Sequence, residues 1–230
     1  MQYKSNYSYF HKSKKPLIIG AILAVIGFVF YYFRIIWYLW AVNFFTVVMV
    51  VGLLMVIFFF VSSVKDKELD NSAATYISGL ENEAKEKIVS LERTPRILDT
   101  YIGESYVYDS EDSKEFKKGL DGTFRSDIYS ASCFVVCQKK LYVMTKTFSL
   151  VDESYQKSEF MSFPYENITS VTLKDGSVEK EYGKKTYSVS FSWFSVNADG
   201  KEYVYPTHND SLADDIISKI YLRKSKVEEQ

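Results

Sequence analysis

The first 64 residues contain no aspartate or glutamate, although the 230-residue chain carries 29 of them. Within residues 16–64 the only charged side chain is Arg34. Histidine and cysteine are nearly as scarce, with two of each in the whole chain. His11 and His208 stand at no spacing that completes a metal site with the cysteines. His208 lies beside Asn209 and Asp210 and reads as a residue of a helix-capping region, with no serine or cysteine partner in a catalytic motif. Cys133 and Cys137 enclose the strand-like run "CFVVC", where four residues span roughly 13 Å. A disulfide needs Cα atoms within about 7 Å, so the two cannot bridge within one strand and read as buried core residues. The 10 glycines gather into no phosphate-binding loop. "GLDG" and "KDGS" read as turns. Catalysis, a metal and a cofactor are therefore not expected.

What the uncharged segment does have is length. One helical crossing of a hydrocarbon core of roughly 30 Å needs about 20 residues. Residues 16–64 supply two crossings, "LIIGAILAVIGFVFYYF" (17–33) and "FFTVVMVVGLLMVIFFFVSS" (44–63). Between them "YYFRIIWYLW" sets Arg34, Trp37, Tyr38 and Trp40 where amphipathic side chains anchor at a membrane boundary, and the turn is expected at 34–43. Lys4, Lys12, Lys14 and Lys15 precede the first span, and Lys65 and Lys67 follow the second. The bias places both termini in the cytoplasm. The apolar run is too long for a secretory leader and lacks a small-x-small cleavage site, so it reads as an uncleaved anchor. Gly20 and Ala24, with Gly27 nearby, form a small-x-x-x-small surface that lets another helix approach closely.

Beyond residue 64 the composition changes, with 23 basic against 29 acidic residues, a net charge of −6. Apolar residues at Leu69, Ala73, Tyr76, Ile77, Leu80, Ala84 and Ile88 keep a helical period, which predicts one amphipathic helix packed on its own domain or on a neighbouring hairpin. Pro95 ends it. "RILDTYIGESYVY" reads as strand, and "DSEDSKEFKKGLDG" as a short polar helix or loop. Alternation then takes over. Tyr129, Ala131, Cys133, Val135 and Cys137 share one face of a strand, which turns through Gln138, Lys139 and Lys140 into "LYVMTKTFSLV". In "TYSVSFSWF", Tyr187, Val189, Phe191 and Trp193 are expected to face the core and the serines to face water. "NADG" supplies a hairpin turn with Gly200 at positive φ. A last helix is expected with Leu212, Ile216 and Ile220 on its buried stripe, and with Asn209 or Asp210 as its cap.

In "SEFMSFPYENITSVTL", Pro164 sets φ for a turn, Tyr165 and Ile168 face one core, and Val171 and Leu173 point inward on the next strand. This segment is similar to the Pro-x-x-x-Ile-x-x-Val corner of bacterial pleckstrin-homology-like domains akin to the GRAM-type modules. "LYVMTKTFSLV" resembles their hairpin strand with a threonine before a basic residue, here Thr145 and Lys146. The resemblance covers residues 125–224. It implies a seven-stranded, bent antiparallel sandwich or barrel capped by a C-terminal helix, in a family whose members include proteins tethered by one or two helices. It also implies a phosphorylated-headgroup site around the first hairpin loop, which here would use Lys139, Lys140 and Lys146. The short turn, the absence of a following arginine and the negative charge of the domain disfavour anion capture there.

The sequence thus predicts a membrane α-hairpin plus an α+β soluble domain. Its parts are a cytoplasmic tail (1–15), the hairpin (16–64), a linker helix (65–94) and a β domain with a C-terminal helix (95–230). The expected function is a non-enzymatic module at the cytoplasmic face of the cell membrane that binds a protein partner or assembles with itself, and no nucleic acid. An anionic-lipid sensor and an accessory subunit of a transporter or cell-envelope complex are the alternatives.

Overall fold

The computed structural model describes residues 3–33, 39–61, 64–183, 185–208 and 211–228. It divides into a unit of Ser5–Lys65 and a second unit of Asp66–Gln230 together with Met1–Lys4.

The first unit holds most of α1 (Tyr3–His11), with α2 (Lys15–Phe33) and α3 (Leu39–Val61). Two of these helices, α2 and α3, are long and apolar enough to cross a membrane. They pack antiparallel through their smallest residues. A Cβ built on Gly20 would stand 2.9 Å from the Gly52 carbonyl oxygen, and one on Gly27 would stand 2.6 Å from the Met49 nitrogen. A Cβ on Gly52 would stand 2.5 Å from the Ala24 nitrogen. Gly20, Ala24 and Gly27 therefore all meet the partner helix of the same hairpin, opposite a fourth small residue, Gly52. Phe30 and Phe45 stack at 4.2 Å between ring centroids. Lys12 donates to the Phe59 carbonyl at 2.6 Å and lies over that ring. Ile22, Phe28, Leu54 and Phe58 remain exposed. Arg34, Trp37 and Tyr38 lie outside the described residues, and so does the side chain of Trp40.

In the second unit the expected single linker helix is two, α4 (Asp66–Ile77) and α5 (Leu80–Leu91). The break falls at Ser78 and Gly79, where helix propensity is lowest. Leu69, Ala73, Ile77, Leu80, Ala84 and Ile88 are all buried, so the pair belongs to this unit. Burial of each large residue among them contributes roughly 1.5–3 kcal/mol.

A four-stranded antiparallel sheet follows in the order β1 (Ile97–Tyr106), β4 (Ile128–Cys137), β5 (Lys140–Ser149), β6 (Gln156–Pro164). Every residue of β4 is buried. Phe134 and Val136 face a core shared with Phe194, Val196 and Tyr205. On the alternate face, Cys133 and the residues in step with it lie toward α4 and α5, as Tyr76 against Phe148 shows at 4.1 Å. Burial pushes the Cys133 thiol up to about 12 and the Cys137 thiol up to about 11, with Glu81 and Glu92 adding to it respectively.

The polar stretch after β1 is neither helix nor plain loop but a hairpin, β2 (Phe116–Lys118) and β3 (Phe124–Ser126). Phe116 and Phe124 stack across it at 4.8 Å. Arg125 fastens the hairpin to α4. Its side chain is almost wholly buried and grips Asp70 bidentately at 2.8 and 2.7 Å, with Asp121 at 2.7 Å. The Tyr106 hydroxyl donates to the same Asp70 at 2.6 Å.

A 3-10 turn (Tyr165–Asn167) leads into the second sheet, β7 (Ile168–Tyr182), β8 (Lys185–Ala198), β9 (Lys201–Thr207), and the chain ends in α6 (Ser211–Glu228). Tyr165 and Ile168 share the core, and the Tyr165 hydroxyl donates to the Cys137 carbonyl at 2.8 Å. Asp199 and Gly200 both take positive φ, 53° and 73°, in the β8–β9 turn. The stripe of α6 is Ala213, Ile216 and Ile220, one step round from the expected one, and Leu212 is exposed. Asn209 and Asp210, the expected caps, lie outside the described residues. The fold is α+β with antiparallel sheets, and the sheets do not close into a barrel among the described residues. At their seam β1 and β9 meet through side chains, Tyr101 to Thr207 at 3.0 Å, beside Pro206, which brings no N–H to a ladder.

Gly52→Val is expected to cost about 1–3 kcal/mol by overpacking the helix contact, read as a lowered denaturation midpoint in detergent against a Leu54→Val control. Arg125→Leu leaves three carboxylates facing one another and should destabilise by about 2 kcal/mol after allowance for the exposure of its partners. Arg125 holds Asp121 down to about 2, first through its hydrogen bond. A depressed carboxylate contributes its stability above its ordinary pKa and loses it as pH falls, so the gap between wild type and variant should narrow from about pH 4 to about pH 2. Thermal melts across that range check it.

Candidate functional site

The three lysines that the family resemblance implies for a headgroup site, where the short turn and the negative charge already disfavour anion capture, do not meet. Lys139 is exposed in the β4–β5 turn and Lys140 starts β5 opposite Pro164. Lys146 lies six residues further along that strand, roughly 20 Å away, and pairs with Glu83 of α5 at 2.6 Å.

A concave surface of the second unit lies elsewhere, where β9 ends. The β8–β9 ladder stops at Ser192 and Thr207, but β8 continues back to Lys185. A cleft of about 390 Å³ opens at that fork. Tyr106 and Tyr108 form one wall, Phe191 and Trp193 the other, and Val204 and Pro206 lie beside them. Its charged members are Asp109, Lys174 and Glu202. Lys174 pairs with Glu202 at 2.7 Å, and Ser195 donates to Glu202 at 2.5 Å. The Lys174 hydrogen bond, then that of Ser195, holds the Glu202 carboxyl below its ordinary range.

Ser188 and Ser190 are exposed and Val189 is buried, as expected, but the aromatic residues of that face lie outside the main core. Phe194, Val196 and Ala198 face the core, and Phe191 and Trp193 point the other way. The strand outruns the sheet opposite it, so its aromatic residues are covered instead by the segment after β1 and by the β2–β3 hairpin. Tyr108 lies 6.4 Å from Phe191, and Phe124 lies 5.2 Å from Tyr187.

"KDGS" is likewise no turn, for β7 runs through it unbroken. A Cβ on Gly176 would stand 2.7 Å from the Trp193 ring. The indole lies across the bare glycine of the neighbouring strand, which is why a strand interior carries a residue that weakens strands. Tyr106 and Tyr108 carried no motif, and Gly176 carried only the turn reading of "KDGS". Pro206 was the one local signal, marking a strand at an edge.

Among the described residues, no three His, Cys, Asp or Glu side chains gather as a metal site. No family model matches the chain, and no curated protein sequence matches it. Among solved structures, the hSac2 domain from human phosphoinositide phosphatase Sac2 aligns with 72% of this chain and 86% of that one, at 11% identity and a TM-score of 0.36. A likeness at that level bears on neither fold nor activity.

Gly176→Val should lift Trp193 from its seat at a cost of about 1–3 kcal/mol. In a 5-fluorotryptophan-labelled protein, only the ¹⁹F resonance that Trp193→Phe removes should move.

Proposed function

We propose that the chain is a non-enzymatic, membrane-anchored binding module of pleckstrin-homology-like, GRAM-type build, which takes an extended segment of a protein partner on the free edge of β8. Its two apolar helices hold it in the cell membrane with both termini in the cytoplasm. Four plus three antiparallel strands followed by a C-terminal helix support the family reading, together with the Pro164 corner.

The observation that carries the binding reading is the unpaired run of β8 beside the aromatic cleft. Along residues 185–191 the strand is laddered to β7 on one side, while its partner on the other side has ended. An added strand there would satisfy backbone groups and set alternate side chains against Phe191, Trp193 and Tyr108. The edges of β7 and β6 suit a peptide less well. The Val171 N–H and carbonyl on β7 are both engaged by the Tyr221 hydroxyl of α6, at 3.0 and 3.2 Å. The β6 edge carries Lys157 and Glu159, charges of the kind that blunt edge pairing. A module already fixed at the membrane needs only modest affinity, since anchoring raises effective concentration.

Benzoylphenylalanine placed at Ser190 or Val204 of the full-length protein should, on illumination in its own membrane, give an adduct of discrete mass. Ser154, on the β5–β6 turn, should give none. Trp193→Ala should weaken capture from position 190 by roughly thirtyfold, the effect of losing about 2 kcal/mol at an aromatic anchor. Adducts indifferent to Trp193, or confined to position 154, would overturn the assignment. An adduct with a second copy would make the partner this chain itself.

A further inference from the structure

The tip of the β2–β3 hairpin carries Leu120 with its side chain fully exposed, on a turn where Gly122 has φ 84°. A single exposed leucine is ordinary. The position of this one is not, because its N–H donates to the Asp66 carboxylate at 2.6 Å. Asp66 follows Val61, the last residue of α3, by five residues. Whatever the angle of the chain there, covalent reach keeps it within about 18 Å of the end of that apolar helix. Arg125, which Asp66 approaches at 4.0 Å, holds the tip through Asp121 and α4 through Asp70, so the leucine is tied to the point where the chain leaves the hairpin. Lys65 and Lys67 flank Asp66, and Lys117 and Lys118 precede the tip. These lysines neighbour the apolar point or its Asp66 partner in sequence, and the carboxylates beside it, Asp66 and Asp121, are held by Arg125, which suits the interface of an anionic bilayer, where a basic residue contributes about 1 kcal/mol.

From this we infer that Leu120 inserts into the interface of the bilayer in which α2 and α3 are anchored, giving the second unit a membrane contact of its own. The inference rests on the membrane reading of the hairpin. The contact adds a point of attachment beyond the covalent one, and so restricts the directions in which the β8 edge can face.

The test is site-directed spin labelling of the full-length protein in nanodiscs containing phosphatidylglycerol. Cys133 and Cys137 are buried, so an introduced cysteine takes the label. Labels go at Leu120→Cys, at Thr123→Cys in the same tip, at Ser154→Cys and at Phe58→Cys on α3. The expected result is hydrocarbon-like accessibility at 58, aqueous accessibility at 154, and an oxygen-to-nickel accessibility ratio at 120 severalfold above that at 154, with 123 between them. Should the Leu120 variant fail to accumulate, position 123 alone decides against 154. If 58 is embedded while 120 and 123 match 154, the inference is overturned and the anchor stands. If 58 is itself aqueous, the membrane reading falls and this inference with it.

Discussion

Strand β4 is buried along its whole length on both faces, and the second unit is built around that constraint. A strand in the middle of a two-faced sheet needs a cover on each side. One cover is the β7–β8–β9 sheet with α6, which supplies Phe194, Val196, Tyr205 and Ile216. The other is the α4–α5 pair. That second cover explains why the segment leaving the apolar helices is not a loose tether: removing it would expose the face of β4 that carries Cys133.

Because both covers are needed, the β2–β3 hairpin acquires a structural duty despite its polar sequence. Arg125 ties it to α4 through Asp70 and Asp121. The guanidinium is nearly excluded from water while its partners keep part of their surface. Its desolvation is compensated by paired hydrogen bonds of good geometry rather than by charge alone. Tyr106 joins the same Asp70 from the end of β1, and so sets the start of the segment that walls the cleft.

The cleft is in turn a consequence of unequal strand lengths. β9 stops while β8 runs on, and the aromatic side chains beyond the end of β9 need a new cover. Tyr108 and Phe124 supply part of it and leave the rest open. Trp193 keeps its position because Gly176 offers it a flat, side-chain-free strand, an arrangement that one methyl group would disturb.

Much of this was legible in the amino-acid order. The two apolar spans, the alternating face of β4, the Pro164 corner and the Asn197–Gly200 turn follow from length, period and φ preference, which are local properties. Local rules also misled in identifiable places. The aromatic residues of β8 were placed in the core because alternation reports that one face is apolar, not which object covers it. Gly176 read as a turn because glycine is ambiguous between bending a chain and clearing space for a neighbour 17 residues away. Lys139, Lys140 and Lys146 came together only through the family resemblance, and a strand rising about 3.3 Å per residue carries Lys146 off to a carboxylate on α5. By itself, then, the sequence determined which segments are apolar, which are helical or extended, and where the chain turns. Only the tertiary structure decided which face meets which cover, where the sheet ends and so where a cleft opens, because those depend on contacts between residues far apart in the chain.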